Sequence, residues 1–323
     1  MTRFVILEQA TNILQQFTLH KKPKTGQTAP FFRILLYLCT KKLHNHIKTM
    51  EKAKQIPYRA IALDLDGTLT NHEKVVTPKT REALLKAASE GAVIILASGR
   101  PTYGIEPVAE CLELNQRGGY ILSYNGGNIV NAKTGEKLFS QYLPDEVIPE
   151  LYAYAKENGH ALLGYAGNEI ITEMPDDQYV KEESRINKMN IRKVENLFEA
   201  MEPHPTKLLM TGDPTLMLKA EEELVEKLGD RMDIFRSAPF FLELVPKGID
   251  KAKSLSRLLT KINLTPADMI AFGDGYNDLS MLKLAGMGVA MENAAPEVRA
   301  EADYVTLTNE EDGVAAALEH FNM

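Results

Sequence analysis

The chain has 323 residues, 44% hydrophobic and 25% charged, an ordinary globular composition with length for about two domains. Its formal net charge of −7 argues against a general nucleic-acid-binding surface. Two cysteines, Cys39 and Cys111, are too few for a disulfide framework and fit a reducing cytoplasm.

The charge is uneven along the chain. Residues 1–50 hold eight Lys or Arg against one acid, Glu8, whereas the rest holds 29 bases against 43 acids. Phe31–Cys39 is apolar but short of the ~20 residues that span a bilayer. It is followed by Lys41-Lys42 rather than by a small-residue cleavage site, so it is a poor signal peptide. A basic amphipathic targeting or membrane-surface element is one reading. The plainer reading makes 1–49 a non-conforming, disordered extension and Met50 the start of the working chain.

The first strand is the apolar run ending at Leu63. It delivers two carboxylates, Asp64 and Asp66, into a Gly67-Thr68 turn. Acids at the end of a buried strand are costly unless they bind a cation or do chemistry. A calcium loop starting at Asp64 would need Gly at its sixth position and Glu at its twelfth, where Leu69 and Val75 stand. Next, Thr77 caps a helix with Pro78 at its first position, an apolar face of Leu84, Leu85 and Ala88, and Gly91 at its end. Ala92–Ala97 is a second apolar strand, so the unit predicts a parallel pair joined by a right-handed crossover. Ser98 follows this strand. Tyr120–Val130 reads as strand, turn and strand.

From about 140 to 243 the pattern changes to an α+β mixture. It has helices over Pro144–Asn158 and Thr215–Leu228, and strands over Ala161–Tyr165, Asn168–Thr172, Lys207–Thr211 and Phe240–Leu244. Alternation then resumes with helix Lys251–Ile262, strand Met269–Phe272, helix Asn277–Leu284, strand Val289–Met291, helix Pro296–Ala302, strand Tyr304–Leu307 and helix Gly313–Phe321. That alternation means an open α/β sheet with helices on both faces. Ligands of such sheets sit at the carboxyl ends of the strands, where Asp64, Ser98 and Asp274 stand. No Gly-x4-Gly-Lys-Ser/Thr loop is present, which argues against a P-loop nucleotidase.

Four segments in order carry a family resemblance: Asp64-Leu-Asp-Gly-Thr68, Leu96-Ala-Ser-Gly-Arg-Pro101, Pro246-Lys-Gly-Ile-Asp-Lys-Ala252 and Phe272-Gly-Asp-Gly-Tyr-Asn-Asp278. Gly286–Ala294 and Ala302–Thr306 are also typical. Together they resemble the haloacid dehalogenase (HAD) superfamily, and within it the Cof-type phosphatases with a large cap, over roughly residues 57–323. The resemblance implies a Rossmann-like core with a parallel sheet, built from 57–139 and 244–323. It also implies an α+β cap over 140–243, inserted between the second and third motifs.

It implies roles as well. Asp64 resembles the nucleophile that becomes an aspartyl-phosphate, and Asp66 the general acid and then base. Ser98 and the backbone after Asp66, at Gly67, would hold phosphoryl oxygens, and Lys251 would compensate charge. Asp64, Asp274 and the Asp66 carbonyl would bind Mg²⁺, with Asp278 in support. Asn277 would orient Lys251 or phosphate. The Gly-x-x-Lys spacing after Gly248 selects Lys251, leaving Lys247 solvated. Arg100 reads equally as a substrate-reaching group or as a surface arginine at a helix start. His72 reads as exposed and Cys111 as a small buried residue. Glu169, Glu173 and Arg185 read as ordinary polar residues of the cap surface.

The expected function is Mg²⁺-dependent hydrolysis of small phosphorylated metabolites, sugar phosphates foremost, in the cytoplasm, with no nucleic-acid or membrane partner. A sugar phosphomutase would use the same Asp64 and Asp66. A catalytically silent ligand sensor should have lost Asp64, Asp66 or Asp274, and all three are present.

Overall fold

The computed structural model describes residues 57–201 and 203–323, and the extension 1–49 lies outside them. Five strands come first: β1 (Ala60–Leu63), β2 (Val93–Ala97), β3 (Tyr120–Ser123), β4 (Asn128–Asn131) and β5 (Lys137–Ser140). The next six are β6 (Ala161–Ala166), β7 (Glu169–Thr172), β8 (Asn190–Lys193), β9 (Leu208–Thr211), β10 (Met232–Ala238) and β11 (Phe241–Pro246). The last three are β12 (Met269–Gly273), β13 (Met287–Ala290) and β14 (Tyr304–Val305).

The first and last groups form one sheet in the order β14-β13-β12-β1-β2-β3-β4-β5. β1 lies inside it, parallel to both β12 and β2, as the strand–helix–strand pattern requires. β3 and β4 form the antiparallel hairpin read from Tyr120–Val130, and β5 extends it. The middle group forms a separate sheet, β10-β11-β9-β6-β7-β8, antiparallel except for the β7–β8 pair. The chain is therefore an α/β core with an α+β cap inserted between the second and third motifs.

Strand side chains alternate faces, and both faces of the large sheet are covered. Ile61, Leu63, Ile94 and Leu96 pack with Leu84 and Ala87 of helix Pro78–Ser89 and with Val314 and Leu318 of helix Gly313–His320. Ala60, Ala62, Ala97 and Ala271 face the other way, against Leu255, Leu258 and Leu259 of helix Lys251–Lys261. Small side chains on that face let this helix lie close to the sheet, and it carries Lys251 at its first position. Thr77 caps the first helix as expected, accepting from the Thr80 N–H at 3.2 Å. The apolar face of that helix needs one correction. Leu84 and Ala87 are buried, whereas Leu85 and Ala88 are half-buried. Among the described residues no helix is long and apolar enough to cross a membrane.

Candidate active site

Asp64 directly follows β1, Ser98 directly follows β2, and Asp274 directly follows β12. Because these three strands are adjacent and parallel, their ends fall side by side. The Asp64 N–H still donates to the Phe272 carbonyl at 3.0 Å, so Asp64 is held by the sheet ladder itself. Beyond it the chain turns through Gly67 at φ +83°, a left-handed conformation that favours glycine. A Cβ there would lie 2.3 Å from Asp274 Oδ2, so only glycine lets this loop approach Asp274. Thr68 Oγ1 then donates to Asp274 Oδ1 at 2.6 Å.

Lys251 is fully buried, with 1% of it exposed. Its Nζ donates to Asp64 Oδ1 and to Asp278 Oδ1, both at 2.6 Å. The other Asp278 oxygen accepts from the Asp274 and Gly275 N–H groups at 3.1 and 2.9 Å. Asp278 is thereby fixed from both sides. Lys247 points elsewhere, to the Gly229 carbonyl and, at 3.0 Å, to Asp233, with half its side chain exposed.

Carboxylate oxygens of Asp64, Asp274 and Asp278 lie within 4.8 Å of one another. Burial, then the Asp278 charge, pushes the Asp64 carboxyl well up, against the pull of Lys251. Burial likewise raises Asp274 to about 6, although the Thr68 hydrogen bond opposes it. Three acids and one lysine leave this cluster short of positive charge. An all-oxygen donor set in that condition suits a hard cation.

Asp66 has a different environment. Arg100 grips it with both arms, Nε to Oδ2 at 2.7 Å and Nη2 to Oδ1 at 2.6 Å, and Lys74 adds a contact at 2.7 Å. Burial pushes the Asp66 carboxyl up, but Arg100 and then Lys74 outweigh it and bring it to about 2. Arg100 is therefore not a surface arginine. It is 7% exposed and also donates to the Gly104 carbonyl at 3.2 Å. The sequence held a signal for it, an arginine two residues past a polar strand end, but nothing that revealed its partner. Nothing in the sequence distinguishes Lys74, which sits at φ +61° in a loop turned by Asn71, whose Oδ1 accepts from the Glu73 and Val75 N–H groups.

Ser98 is buried, its Oγ accepting from the Arg100 N–H at 3.2 Å. Asn277 is exposed and donates from Nδ2 to Asn125 Oδ1 at 3.0 Å. Two carboxylates, rather than Asn277, hold Lys251. His72 is exposed and pairs with Glu310. Cys111 is half-buried rather than buried.

These groups open into a cavity of about 500 Å³ between the core and the cap. Asp64, Asp66, Ser98, Arg100, Asp274 and Asp278 line its floor, with Lys74 and Asn277 beside them. Glu183, Asn187, Lys207, Arg236 and Glu243 line the cap side. Glu169, Glu173 and Arg185 are not among the lining residues and pair instead with Arg192, Lys156 and Glu182.

An acid-rich crevice at parallel strand ends, roofed by an inserted cap, defines a phosphoryl-group hydrolase of the HAD type. The sequence model of the haloacid dehalogenase-like hydrolases matches residues 61–318, and the chain belongs to that family. A haloacid dehalogenase-like hydrolase from Bacteroides thetaiotaomicron has a similar solved structure. It is 50% identical, with TM-score 0.80, covering 81% of this chain and 99% of its own. The HAD subclass IIB sugar phosphatase BT4131 is similar at 27% identity and TM-score 0.71, covering 82% of this chain and 99% of its own. The 5-amino-6-(5-phospho-D-ribitylamino)uracil phosphatase YwtE of Bacillus subtilis is 28% identical, covering 80% of this chain and 96% of its own. The chain is accordingly a HAD-type phosphatase.

Proposed function

We propose that the protein hydrolyses phosphomonoesters of small metabolites, sugar phosphates foremost, with Mg²⁺ and through an aspartyl-phosphate on Asp64. The observation that carries this reading is the convergence of Asp64, Asp66, Ser98, Arg100, Asp274 and Asp278 on one cavity floor. Asp64 attacks phosphorus, and the ester oxygen leaves with a proton from Asp66. Asp66 then takes a proton from water as that water cleaves the acyl-phosphate, a general-base role. Held by Arg100 and Lys74, Asp66 is ionised and suits this second half. The first half needs that grip loosened. Ser98 and the N–H groups after Asp66 receive phosphoryl oxygens, and Lys251 offsets their charge. Asp64, Asp274 and the Asp66 carbonyl would hold Mg²⁺, with Asp278 beside them, and the ion would neutralise the phosphoryl oxygens.

Phosphate release from a panel of sugar phosphates tests the reading. Release is expected with Mg²⁺, without any bisphosphate activator, and is abolished by a chelator and restored by added Mg²⁺. Asp64→Asn, correctly folded by circular dichroism, is expected to lose nearly all turnover. Substantial hydrolysis by that variant would overturn the nucleophile assignment, and a need for bisphosphate would point to a mutase.

A further inference from the structure

The cap wall carries two cations, and each is already neutralised. Lys207 Nζ lies 2.7 Å from Glu243 Oε2, and both side chains are over nine-tenths buried. Arg236 Nε lies 2.7 Å from Glu221 Oε2, and the Arg236 N–H also donates to Glu221. On the floor, Arg100 and Lys74 are committed to Asp66, and Lys251 to Asp64 and Asp278. Among the described residues, no cation at this cavity lacks a carboxylate partner.

The rest of the cap wall consists largely of acceptors. Asn187 is 1% exposed, and its Oδ1 is packed against Gly104 rather than open to the cavity. Glu183 is buried and accepts from the Tyr165 hydroxyl at 2.6 Å. Glu243 accepts from Ser237 Oγ at 2.7 Å through its other oxygen. Glu183 and Glu243 line the cavity as acceptors, and an incoming O–H donor suits them better than a further acceptor. A sugar or polyol brings several O–H donors. A second phosphate or a carboxylate brings acceptors only.

We infer that the cap wall selects phosphomonoesters of neutral polyols and rejects substrates that carry a second anionic group. The Glu243–Lys207 and Glu221–Arg236 pairs set this selectivity. This rests on the phosphatase reading and narrows its substrate class. A second anion would meet Glu183 and Glu243 with no free cation to answer it, and it could recruit Lys207 only by breaking a buried pair. Burial already pushes the Glu183 carboxyl up, and an added negative charge beside it deepens the mismatch.

The test compares kcat/KM for a hexose 6-phosphate and the matching hexose 1,6-bisphosphate in Mg²⁺. The wild-type protein should prefer the monophosphate by about tenfold or more, since like-charge juxtaposition is strongly unfavourable. Glu243→Gln frees Lys207, and Glu221→Gln frees Arg236, so each should shrink that preference about fivefold or more. Glu221 lies outside the cavity lining and is partly exposed, so its variant serves even where Glu243→Gln fails to fold. A wild-type ratio near one, or folded variants with an unchanged ratio, overturns the inference while phosphatase activity stands. No phosphate from either substrate overturns the phosphatase reading and the inference with it.

Discussion

Lys247 and Lys251 are both basic residues of the third motif, and their surroundings assign them different tasks. Lys251→Ala removes the cation that bridges Asp64 and Asp278. Breaking a buried pair costs about 3–5 kcal/mol of stability, and losing a charge-stabilising donor costs about 2–4 kcal/mol in the transition state. Lys251→Ala should therefore lower both the melting temperature and kcat/KM steeply. Lys247→Ala breaks an exposed pair, worth about 0–1 kcal/mol, and should change neither by much. Paired thermal melts and kinetics check this, and a collapse of kcat/KM in the Lys247 variant would reverse the assignment. Arg100 supports a second expectation. Arg100→Lys keeps the charge but loses the two-armed grip on Asp66, which lysine cannot reproduce. One charged hydrogen bond is worth about 1.5–3 kcal/mol, and the grip favours the ionised Asp66 of the second half. So kcat should fall roughly tenfold to a hundredfold through slower aspartyl-phosphate hydrolysis, with kcat/KM less affected and the fold intact. At this scale the sequence disclosed every residue whose position is fixed by a strand end: Asp64, Ser98 and Asp274. It did not disclose Arg100 or Lys74 as partners of Asp66. Their contact depends on how two separate loops fold toward each other, and no local spacing encodes that.

Elements with an apolar stripe were legible, and those without one were not. Helix Pro78–Ser89 announces itself through its cap, its proline and Leu84. Helix Gln178–Asn187 is hard to read from sequence because its apolar face is only Tyr179, Val180 and Ile186, and two of its three buried residues, Glu183 and Asn187, are polar. The same polarity that hides the helix supplies the cap side of the cavity. β8 (Asn-Ile-Arg-Lys) is an edge strand with only Ile191 even half-buried. β10 closes the opposite edge with Arg236 and Ser237 interrupting its pattern. The cap of the first helix gives a prediction confined to this scale. Thr77 Oγ1 accepts from the Thr80 N–H and donates to Asp312. Thr77→Ala should cost about 1 kcal/mol and lower the melting temperature by about 2–4 °C. Because this helix end contributes nothing to the cavity lining, kcat should stay at its wild-type value. A large kinetic defect would mean that the helix start reaches the site.

At the scale of the whole molecule, the cavity exists only while core and cap touch, and the seam is narrow. Tyr103 of core helix Thr102–Cys111 packs into the hydrophobic cluster of the cap. One residue on, Gly104 faces Asn187 of helix Gln178–Asn187, and a Cβ at Gly104 would lie 2.4 Å from Asn187 Oδ1. Lys207 reaches across to the Gly99 carbonyl at 3.4 Å, a long contact onto the loop that carries Ser98 and Arg100. These joints tie the cap's position to the floor of the site. Gly104→Ala tests that tie with one carbon atom. In an isolated helix, alanine in place of glycine stabilises by about 0.5–1 kcal/mol. At this seam the same methyl group drives helix Gln178–Asn187 away from the core and widens the cavity. The variant should therefore melt close to the wild-type temperature, because helix gain and seam loss oppose each other. It should still bind a sugar phosphate less well, with KM raised severalfold, because the acceptors on the cap no longer reach a substrate held at Asp64. An unchanged KM in Gly104→Ala would mean that the seam yields without moving the cap, and that cap position and substrate binding are separable.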